Sequence, residues 1–415
     1  MRTKYPVIVV GAGFAGVETA TRLSRRGVRV LLIDRNSYHQ FQPLLYQVAT
    51  AQLGVSDVAR PLRSITRKRR WVTVLHADVT AIDAKARTVT TADGDTFTAR
   101  VLVVASGAEP NFFNTPGAEE NAYPLYSVKD AINFGARMVE LLEDAHREPQ
   151  SGDLHAVIVG GGPTGVETAG ALAETFKYVV PEYFSPDLAA RCHVHLVDMV
   201  PNLLSAFAEP NQKYAEKRLR EVDVDLRLGV GVTEVSPVGV TLADETTIPS
   251  GLVVWAGGLK AGPIIQASGL PQGRGGRVDV GMDLSVPGFP GVYVLGDSAN
   301  MIDAHGTALP QLGSVAKQSG IWAAQNIVAD LKGQPRQPFR YLDKGFMAMV
   351  GRGAAVAELG RRRFRMQGFP AFIAWLAVHV ALLSGWWQKV RAILTWVQDY
   401  LSNERSQVFI GTDRR

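Results

Sequence analysis

The chain has 415 residues, 46% hydrophobic and 20% charged, a composition typical of a globular protein with room for two or three domains. A single cysteine, Cys192, excludes an internal disulfide, a CxxC redox pair and a cysteine-rich metal site. The net charge of +5 is concentrated in basic clusters at 67–70 and 361–365, where nucleic acid, anionic lipid or solvent are the alternatives. Because the first strand begins within six residues of Met1, we expect no signal peptide and a location in the compartment of synthesis.

Residues 7–34 have the pattern of a dinucleotide-binding unit. An apolar, β-branched run at 7–10 predicts a strand buried on both faces of a parallel sheet. Gly11, Gly13 and Gly16 follow in the spacing GxGxxG. They permit a tight turn, close approach of a phosphate to the backbone, and close packing of the next helix.

An acidic residue completes this unit. A helix is expected over about 15–26 and a second strand over 28–33. Asp34 then follows 18 residues after Gly16, where a carboxylate can accept hydrogen bonds from a ribose 2′-OH. This complete order is far more specific than GxGxxG alone; a glycine turn that binds no nucleotide is the alternative.

The next segment, residues 38–50, is rich in aromatic and amide side chains. We interpret it as a loop that lines a flavin, with Arg35 beside the adenosine; a buried packing loop is the alternative. Alternation over 72–79, 81–83 and 87–91 predicts short antiparallel strands.

The glycine pattern recurs at an offset of 149 residues. After an apolar run, Gly160, Gly162 and Gly165 repeat the spacing, and GAGFAGVETATRL aligns with GGGPTGVETAGAL. Both copies contain VETA, which places Glu18 and Glu167 at equivalent positions.

The acid of the second copy, Asp198, ends a predicted strand over 194–197. It lies 33 residues after Gly165, and the extra residues around 178–191 predict a lengthened helix and loop. Asp198 should hold a ribose 2′-OH. Met199 follows where an arginine would favour a 2′-phosphate, so the pattern favours NADH over NADPH.

Two nucleotide folds in one chain require two nucleotides. The first copy should hold FAD, because completion by a distant C-terminal segment is typical of FAD-binding domains. Residues 291–300 fit that segment: a strand over 292–295 is followed by Gly296 and Asp297, whose carboxylate can accept from a ribityl hydroxyl. A helix over 310–327 would direct its positive N-terminus at the flavin and stabilise the negative charge of reduced flavin.

The C-terminal region changes character. Short strands are predicted over 341–356, and the apolar segment 369–387 contains a helix of about 14 residues, short of the roughly 20 that span a bilayer. Residues 386–401 are amphipathic and are predicted to lie in a membrane interface, with a dimer-forming or domain-packing helix as the alternative. A last short strand is predicted over 408–410. The polar side of the amphipathic segment is predicted to carry Gln388, Lys389, Arg391, Gln398 and Asp399.

Several motifs occur in one order over essentially the whole chain: GAGFAGVETA, FQPLLYQVAT, GGGPTGVETAGALAE, the GD of GDSAN, LPQLGSVAKQSG and a basic, apolar C-terminus. In this the sequence resembles the type II (alternative) NADH:quinone oxidoreductases, flavoproteins of the pyridine nucleotide-disulfide reductase type. The resemblance implies an α/β fold with two Rossmann-like domains, for FAD and NADH, and a C-terminal membrane-associating α region. It also implies a homodimer on the cytoplasmic face of the cell membrane, passing two electrons from NADH through FAD to ubiquinone or menaquinone without proton pumping.

The resemblance also assigns residues to each site. The implied FAD set is Gly11, Gly13, Gly16, Asp34, Arg35, Gln42, Val79, Gly107, Gly296 and Asp297. The implied NADH set is Gly160, Gly162, Thr164, Gly165, Asp198 and Gly257. The helix against flavin and quinone is matched by Val315, Ala316 and Gln318. Ser314 stands where many relatives have glutamine, so only Gln318 remains of a glutamine pair.

We expect a discontinuous FAD-binding domain over 1–115 and 260–333, an NADH-binding domain over 116–259, and a membrane-anchoring and dimerising region over 334–415. Ferredoxin-type reductases and a membrane-bound flavin redox sensor are the functional alternatives. Disulfide reductases and sulfide:quinone oxidoreductases need a cysteine pair that this chain lacks.

Quinone reduction consumes two protons, and Glu167 and His379 are the candidate donors. Burial would raise the pKa of Glu167, and the resemblance gives it a role at the contact of nicotinamide and flavin or in protonation. A nucleotide-ribose role, as for Glu18, is the alternative. His379 is the titratable group of the apolar segment, with a satisfied core histidine as its alternative.

Overall fold

The computed structural model describes residues 3–303, 305–360, 362–402 and 405. The chain alternates between two compact units. The first contains 1–39, 60–109 and 259–343, and the second contains 40–59, 110–258 and 344–415. This grouping differs from the three predicted regions: residues 40–59 and 344–415 belong to the second unit, whereas residues 334–343 belong to the first.

A seven-stranded sheet forms the centre of the first unit. Its parallel strands lie in the order Val72–His76, Val30–Asp34, Lys4–Val10, Thr96–Val104 and Val292–Val294. Two antiparallel strands, Thr88–Thr91 and Val79–Asp83, continue from the first half of Thr96–Val104. The side chains of Val7, Ile8 and Val9 are fully buried, as expected for a central parallel strand.

One strand prediction in this sheet was wrong. Residues 72–76 do not pair antiparallel with the strands that follow them but lie parallel to Val30–Asp34, with Val30 opposite Val72. The helix Leu62–Thr66 precedes this strand, and the chain returns to the sheet in the same direction, as in a crossover connection.

Two long helices pack against each other in the first unit: Phe14–Arg25, the first repeat helix, and Gly313–Leu331. A Cβ on Gly320 would lie 2.4 Å from the carbonyl oxygen of Ala15, so glycine permits this close approach. The second helix begins three residues later than predicted, because Leu312 has extended backbone angles. The unit also contains short elements at Leu259–Ala261, Pro263–Gln266, Arg274–Gly276, Val278–Asp279, Gly296–Ser298 and Ala299–Asn300. Short strands at Tyr38–Gln40, Ala59–Pro61 and Ala108–Pro110 lie where the chain leaves or enters the unit.

The second unit has a five-stranded parallel sheet in the order Tyr123–Pro124, Leu252–Trp255, Leu154–Val159, Cys192–Asp198 and Val224–Leu228. An antiparallel sheet is formed by Val232–Ser236, Gly239–Leu242 and Thr247–Pro249. The helices Val128–Arg147 and Glu209–Glu221 belong to the same unit. Shorter helical segments are Gln42–Leu44, Leu45–Ala49, Val55–Val58 and Ala118–Asn121.

The helix that follows the second glycine loop, Pro163–Glu174, is the second repeat helix. It runs on through a π-helical turn, Thr175–Val179, into Val180–Tyr183, and Pro186–Ala190 follows. Pro181 has no N–H to donate to the preceding turn, which favours an irregular helix there. The lengthened helix and loop predicted before Asp198 are confirmed.

The C-terminal region begins with an antiparallel sheet, the C-terminal sheet, formed by Gly345–Met349, Ala355–Leu359 and Phe364–Gln367. Two helices follow: Gly368–Leu382, the apolar helix, and Trp386–Ser402, the last helix. Within the described residues, no helix is both long and apolar enough to cross a membrane. Arg361 and the strand predicted over 408–410 lie outside the described residues.

The C-terminal sheet packs closely on the second repeat helix. A Cβ on Gly170 would lie 3.0 Å from the backbone nitrogen of Gly351. The first copy has Thr21 at the position equivalent to Gly170. The second copy therefore has the smaller residue where its helix receives the C-terminal sheet.

The last helix is amphipathic, and the side that it buries includes a residue of its predicted polar side. Its buried residues are Ala392, Trp396 and Asp399, spaced by four and three. Asp399, predicted on the polar side, is buried and paired with Arg405. The exposed side carries large apolar residues, namely Trp386, Trp387, Ile393, Leu394 and Val397.

Candidate functional site

The first glycine loop is tightly packed at Gly11 and Gly16, and it leaves free space beside Gly13. Gly11 has φ +95°, and a Cβ there would lie 2.2 Å from the carbonyl oxygen of Ala105. A Cβ on Gly16 would lie 1.8 Å from the carbonyl oxygen of Gly11, so the helix can begin this close to the turn only with glycine. A Cβ on Gly13 would meet nothing within 4 Å. The loop thus leaves space for a phosphate against uncapped helix N–H groups.

Asp34 is held by the loop that it completes. Its Oδ2 accepts a hydrogen bond of 2.5 Å from the N–H of Ala12, and its Oδ1 accepts one of 2.6 Å from the N–H of Asn36. Burial raises the pKa of this carboxyl, and the two N–H donors partly offset the effect. Each oxygen keeps a lone pair for a ribose hydroxyl.

The second loop repeats this construction. Gly160 has φ +115°, with a Cβ position 2.5 Å from the carbonyl oxygen of Ala256, and a Cβ on Gly165 would lie 1.8 Å from the carbonyl oxygen of Gly160. A Cβ on Gly162 would again meet nothing within 4 Å. Asp198 accepts from the N–H of Gly161, and its Oδ1 accepts from that of Val200 at 2.8 Å. The two copies therefore fit two dinucleotides in the same manner.

Other predicted cofactor residues gather around the first loop. Gly296 has φ +65°, and its Cβ position lies 3.4 Å from the Cβ of Ala316 and 3.5 Å from that of Ala15. Asp297 follows it, and Val315 is buried in the helix that starts at Gly313. The structure thus brings the GD motif and this helix to the first glycine loop.

The remaining predicted positions are more scattered. Arg35 is exposed directly after Asp34, and Val79 begins a strand. The carbonyl of Gly107 accepts from the hydroxyl of Ser298 at 2.8 Å. Gln42 lies in the second unit, in the turn Gln42–Leu44, and so does not belong to the unit that contains the first glycine loop.

Two predicted NADH positions belong to the second unit. Thr164 is exposed at the start of the second repeat helix. Gly257 follows the strand Leu252–Trp255, and its Cβ position lies 3.2 Å from Nε1 of Trp255.

The amide of Gln318 is engaged by the backbone. Its Nε2 donates to the carbonyl of Leu342 at 3.0 Å, and its Oε1 accepts from the N–H of the same residue at 2.9 Å. Ser314, its neighbour on the helix, lies 3.0 Å from the hydroxyl of Tyr341. The structure therefore gives Gln318 a role in holding the chain after the helix, which the sequence did not predict.

Glu167 is a buried carboxyl group of the second unit. It is 9% exposed, and its Oε1 accepts hydrogen bonds from the N–H of Met349 at 3.1 Å and from Nε1 of Trp375 at 3.2 Å. Burial raises the pKa of this carboxyl to about 8, although both donors oppose the rise. At neutral pH, Glu167 is therefore mostly protonated.

The equivalent glutamate of the first copy has a different environment. Glu18 forms an ion pair with Arg22, one turn along its helix. In the second copy Ala171 occupies the position of that arginine. The same VETA motif thus gives an ion-paired glutamate in one copy and a buried, mostly protonated one in the other.

His379 is a buried histidine of the apolar helix. Its Nδ1 lies 2.8 Å from the carbonyl oxygen of Trp375, and its ring stacks on that indole with centroids 3.7 Å apart. Phe41 contacts it edge-on. Burial lowers the pKa of His379 to about 4, so the ring is neutral near pH 7 and Nδ1 carries its proton.

The structure adds residues that the sequence did not single out. Tyr46 and Gln47, in the segment first interpreted as flavin-lining, are buried beside the C-terminal region: the tyrosine hydroxyl donates to Sδ of Met349 at 3.4 Å. Nε1 of Trp396 donates to Oε1 of Gln47 at 2.8 Å. Trp375 is fully buried and joins Glu167 to His379. In the sequence, Tyr46 and Gln47 were marked only by the amide-rich and aromatic composition of their segment, which does not specify the residues that they contact.

Comparison with known proteins agrees with this geometry. The family model for pyridine nucleotide-disulphide oxidoreductases matches residues 5–320. The type II NADH:quinone oxidoreductase Ndh of Mycobacterium tuberculosis is 35% identical over 430 aligned positions, which cover 99% of this chain and 91% of that protein. The chain belongs to the type II NADH:quinone oxidoreductases.

Further relatives of this type II oxidoreductase support the assignment. NdhA of the same organism is 33% identical and is covered to 89% of its length by 98% of this chain. The structure of NDH2 from Plasmodium falciparum in complex with NADH has a TM-score of 0.89 at 18% identity, covering 99% of this chain and all of that chain, and so shares its fold. The family resemblance and the fold class inferred from the sequence are confirmed.

The type II oxidoreductase has no cysteine pair for disulfide chemistry, although the broader family is named for it. Its one cysteine, Cys192, is partly buried, and burial raises the pKa of the thiol to about 12. The thiol is therefore protonated and unreactive at neutral pH.

Proposed function

We propose that this type II oxidoreductase oxidises NADH and reduces a quinone by two electrons. The balanced reaction is NADH + quinone + H⁺ → NAD⁺ + quinol, so one proton comes from outside the donor. Membership of the family and the two open glycine loops support this assignment. The repetition of the loop, with its acid bound to the backbone in the same way, carries the proposal.

The first glycine loop is proposed to hold FAD, with Gly11, Gly13, Gly16 and Asp34 on its adenosine and pyrophosphate side and Asp297 on its ribityl chain. When bound, FAD supplies a carrier that accepts a hydride and releases electrons. The uncapped helix N-terminus beside Gly13 favours an anionic pyrophosphate. The helix N-terminus beside Gly296 adds positive potential to the same unit.

The second loop is proposed to hold NADH. Asp198 would accept from the adenosine ribose, and the exposed side chain of Met199 follows it. A 2′-phosphate in this place would meet a carboxylate and a thioether rather than a cation. We therefore expect NADH to be preferred to NADPH.

Glu167 is proposed to hold the proton that quinone reduction requires. Its Oε1 is engaged by two donors, so the proton belongs on Oε2, for which the described residues provide no hydrogen-bond partner. His379 is a weaker candidate, because its ring is neutral and the proton on Nδ1 is donated in a hydrogen bond to the backbone carbonyl of Trp375. Its stacking on Trp375 supports a positioning role instead.

The C-terminal helices are proposed to bind a membrane surface on the cytoplasmic side. Trp386 and Trp387 are 74% and 70% exposed, and Leu394 and Phe369 are also exposed. Tryptophan is favoured at the lipid–water interface, and a helix with such a face can lie in that interface without crossing the bilayer. The homodimer implied by the family stays a prediction, which the mass of the enzyme in detergent would test.

The decisive experiment is anaerobic. The purified, FAD-loaded protein is mixed with NADH or NADPH, flavin bleaching is recorded, and ubiquinone or menaquinone analogues are then added. We expect bleaching by NADH and recovery with at least one quinone. Bleaching without recovery would favour a redox sensor, and no bleaching would overturn the assignment.

A further inference from the structure

A basic cavity in the first unit has no part in the proposed reaction. It is open, with about 920 Å³ of empty space including its mouth. Its basic lining combines the first cluster of the sequence with the end of the first repeat helix. The lining residues are Ser24, Arg25, Gly27, Arg67, Lys68, Arg69, Arg70 and Trp71.

The lining has five cations and no carboxylate. In the part of the chain that the structure describes, none of these cations has an ion-pair partner. Like charges gathered in one concavity repel one another and raise the local positive potential, so the cavity attracts anions. The Nε of Arg69 is, in addition, buried without a hydrogen-bond partner among the described residues.

The guanidinium group of Arg70 is partly fixed in place. Cζ of Arg70 lies 5.0 Å from the ring centroid of Trp71, and Cζ of Arg29 lies 5.7 Å from the same centroid. Cation–π contacts of this kind reduce the freedom of the side chains while leaving their N–H donors available.

The end of the helix does not present bare carbonyls to the cavity. The carbonyl of Leu23 accepts from the N–H of Arg26 at 3.0 Å and from that of Val28 at 3.0 Å, and the carbonyl of Ser24 accepts from Gly27 at 3.1 Å. Gly27 has φ +76°, and a Cβ on it would meet nothing within 4 Å. The negative end of the helix is therefore capped, and the floor of the cavity at Gly27 is open.

We infer that this basic cavity binds a multiply charged phosphate group. Arginine offers paired N–H donors that match phosphate oxygens, and several cations with no acid favour a ligand of two or more negative charges. A soluble polyphosphate or nucleotide and the headgroup of an anionic lipid share this chemistry. The lipid source must itself be multiply charged, as in an inositol headgroup that carries phosphomonoesters beside its phosphodiester, because a simple phosphodiester carries only one negative charge.

The test uses the full-length, FAD-loaded enzyme in neutral detergent, with saturating NAD⁺ to occupy the nucleotide site of the second unit. Inorganic tripolyphosphate and glycerophosphoinositol bisphosphate, a soluble and multiply charged lipid headgroup, are titrated by calorimetry at low and moderate salt. We expect binding of at least one, weakening as salt is raised. Tripolyphosphate binding alone supports a soluble ligand, and binding of the inositol headgroup supports a lipid source.

The variant combines Arg67→Gln, Lys68→Gln and Arg70→Gln, all at exposed positions. Loss of three charges should weaken binding by about tenfold or more. NADH oxidation with a short-chain quinone should be unchanged, since these residues have no part in the proposed reaction.

A matched control removes three exposed cations of the same unit that do not line the cavity, Lys4→Gln, Lys85→Gln and Arg100→Gln. It has the same net charge as the variant and should bind as the wild type does. Absence of binding of both ligands to the wild type would overturn the inference. Equal binding by the variant, or equal loss in the control, would also overturn it.

Discussion

Replacing Glu167 by glutamine tests the proposed proton donor. Glutamine keeps an oxygen that can accept from Met349 N–H and Trp375 Nε1, so both hydrogen bonds of the wild type can persist. It cannot release a proton. With a pKa of about 8, Glu167 is about nine tenths protonated at pH 7 and about one tenth at pH 9.

The expected result is a change in both rate and pH profile. Wild-type quinone reduction should fall about tenfold between pH 7 and pH 9, following the protonated fraction. Glu167→Gln should reduce turnover by about a hundredfold at pH 7 and remove that dependence. Flavin content should stay normal. Steady-state turnover and stopped-flow reoxidation, recorded from pH 5.5 to 9.5, measure both effects.

A matched control lies two turns along the same helix. Glu174 is also buried, with a pKa raised to about 7 by burial, and it accepts from the N–H of Arg352. Glu174→Gln should keep the wild-type pH profile of turnover, because the proposed chemistry does not use this carboxyl. If Glu174→Gln also lost the pH dependence of turnover, that dependence would reflect a change in the folded structure rather than proton transfer from Glu167.

Stability separates a structural proton from a chemical one. The folded state binds the Glu167 proton more tightly than the unfolded state, so wild-type stability relative to Glu167→Gln should decrease as pH rises from about 4.5 to 8. The decrease should be about 3–5 kcal/mol, and urea unfolding at pH 5 and pH 8.5 would measure it. If this difference appears while turnover and its pH profile stay unchanged, the proton-donor proposal is refuted.

Three further outcomes follow from the geometry. Gly165→Ala places a Cβ 1.8 Å from a carbonyl oxygen and should weaken NADH binding more than tenfold with flavin retained, whereas Gly16→Ala should lose flavin. Flavin absorbance and the KM for NADH distinguish the two results, and the reverse pattern would mean that the two nucleotide sites are exchanged. Replacing Trp386 and Trp387 by serine should reduce binding to anionic vesicles at least tenfold, while phenylalanine at both positions should retain most of it; equal flotation of both variants would argue against an interfacial helix. Gly170→Val should lower stability by about 1–3 kcal/mol in chemical unfolding, because the C-terminal sheet lies against that position, and no change would mean that the sheet can move away.

Sequence reasoning predicted the parts of the fold that local patterns determine. A glycine turn, an apolar strand and a terminal acid act over about 30 residues, so both copies and their hydrogen-bonded acids could be recognised. The internal repeat also contained a usable difference: Arg22 can pair with Glu18, and Ala171 leaves Glu167 without that partner. That comparison alone predicts different environments for the two glutamates.

The non-local partners could not be predicted in this way. Glu167 meets Met349 and Trp375, which lie 182 and 208 residues further along the chain. The pairing of Gln47 with Trp396 spans 349 residues. Periodicity identified the last helix as amphipathic. Which side is buried depends on the contacts of Asp399 with Arg405 and of Trp396 with Gln47, which periodicity does not predict. Apolar residues on the other side could therefore stay exposed.

The docking of the C-terminal sheet on the second repeat helix has a practical consequence for protein engineering. Cutting the chain before residue 345 would remove Met349, Arg352 and Trp375, and would open Glu167 and Glu174 to water. A shortened protein would therefore lose the proposed membrane-binding helices together with the burial that raises the pKa of Glu167. A water-soluble form is better sought by replacing the exposed residues Trp386, Trp387 and Leu394 with polar ones. The buried residues that pack around Glu167 and Glu174 are then kept.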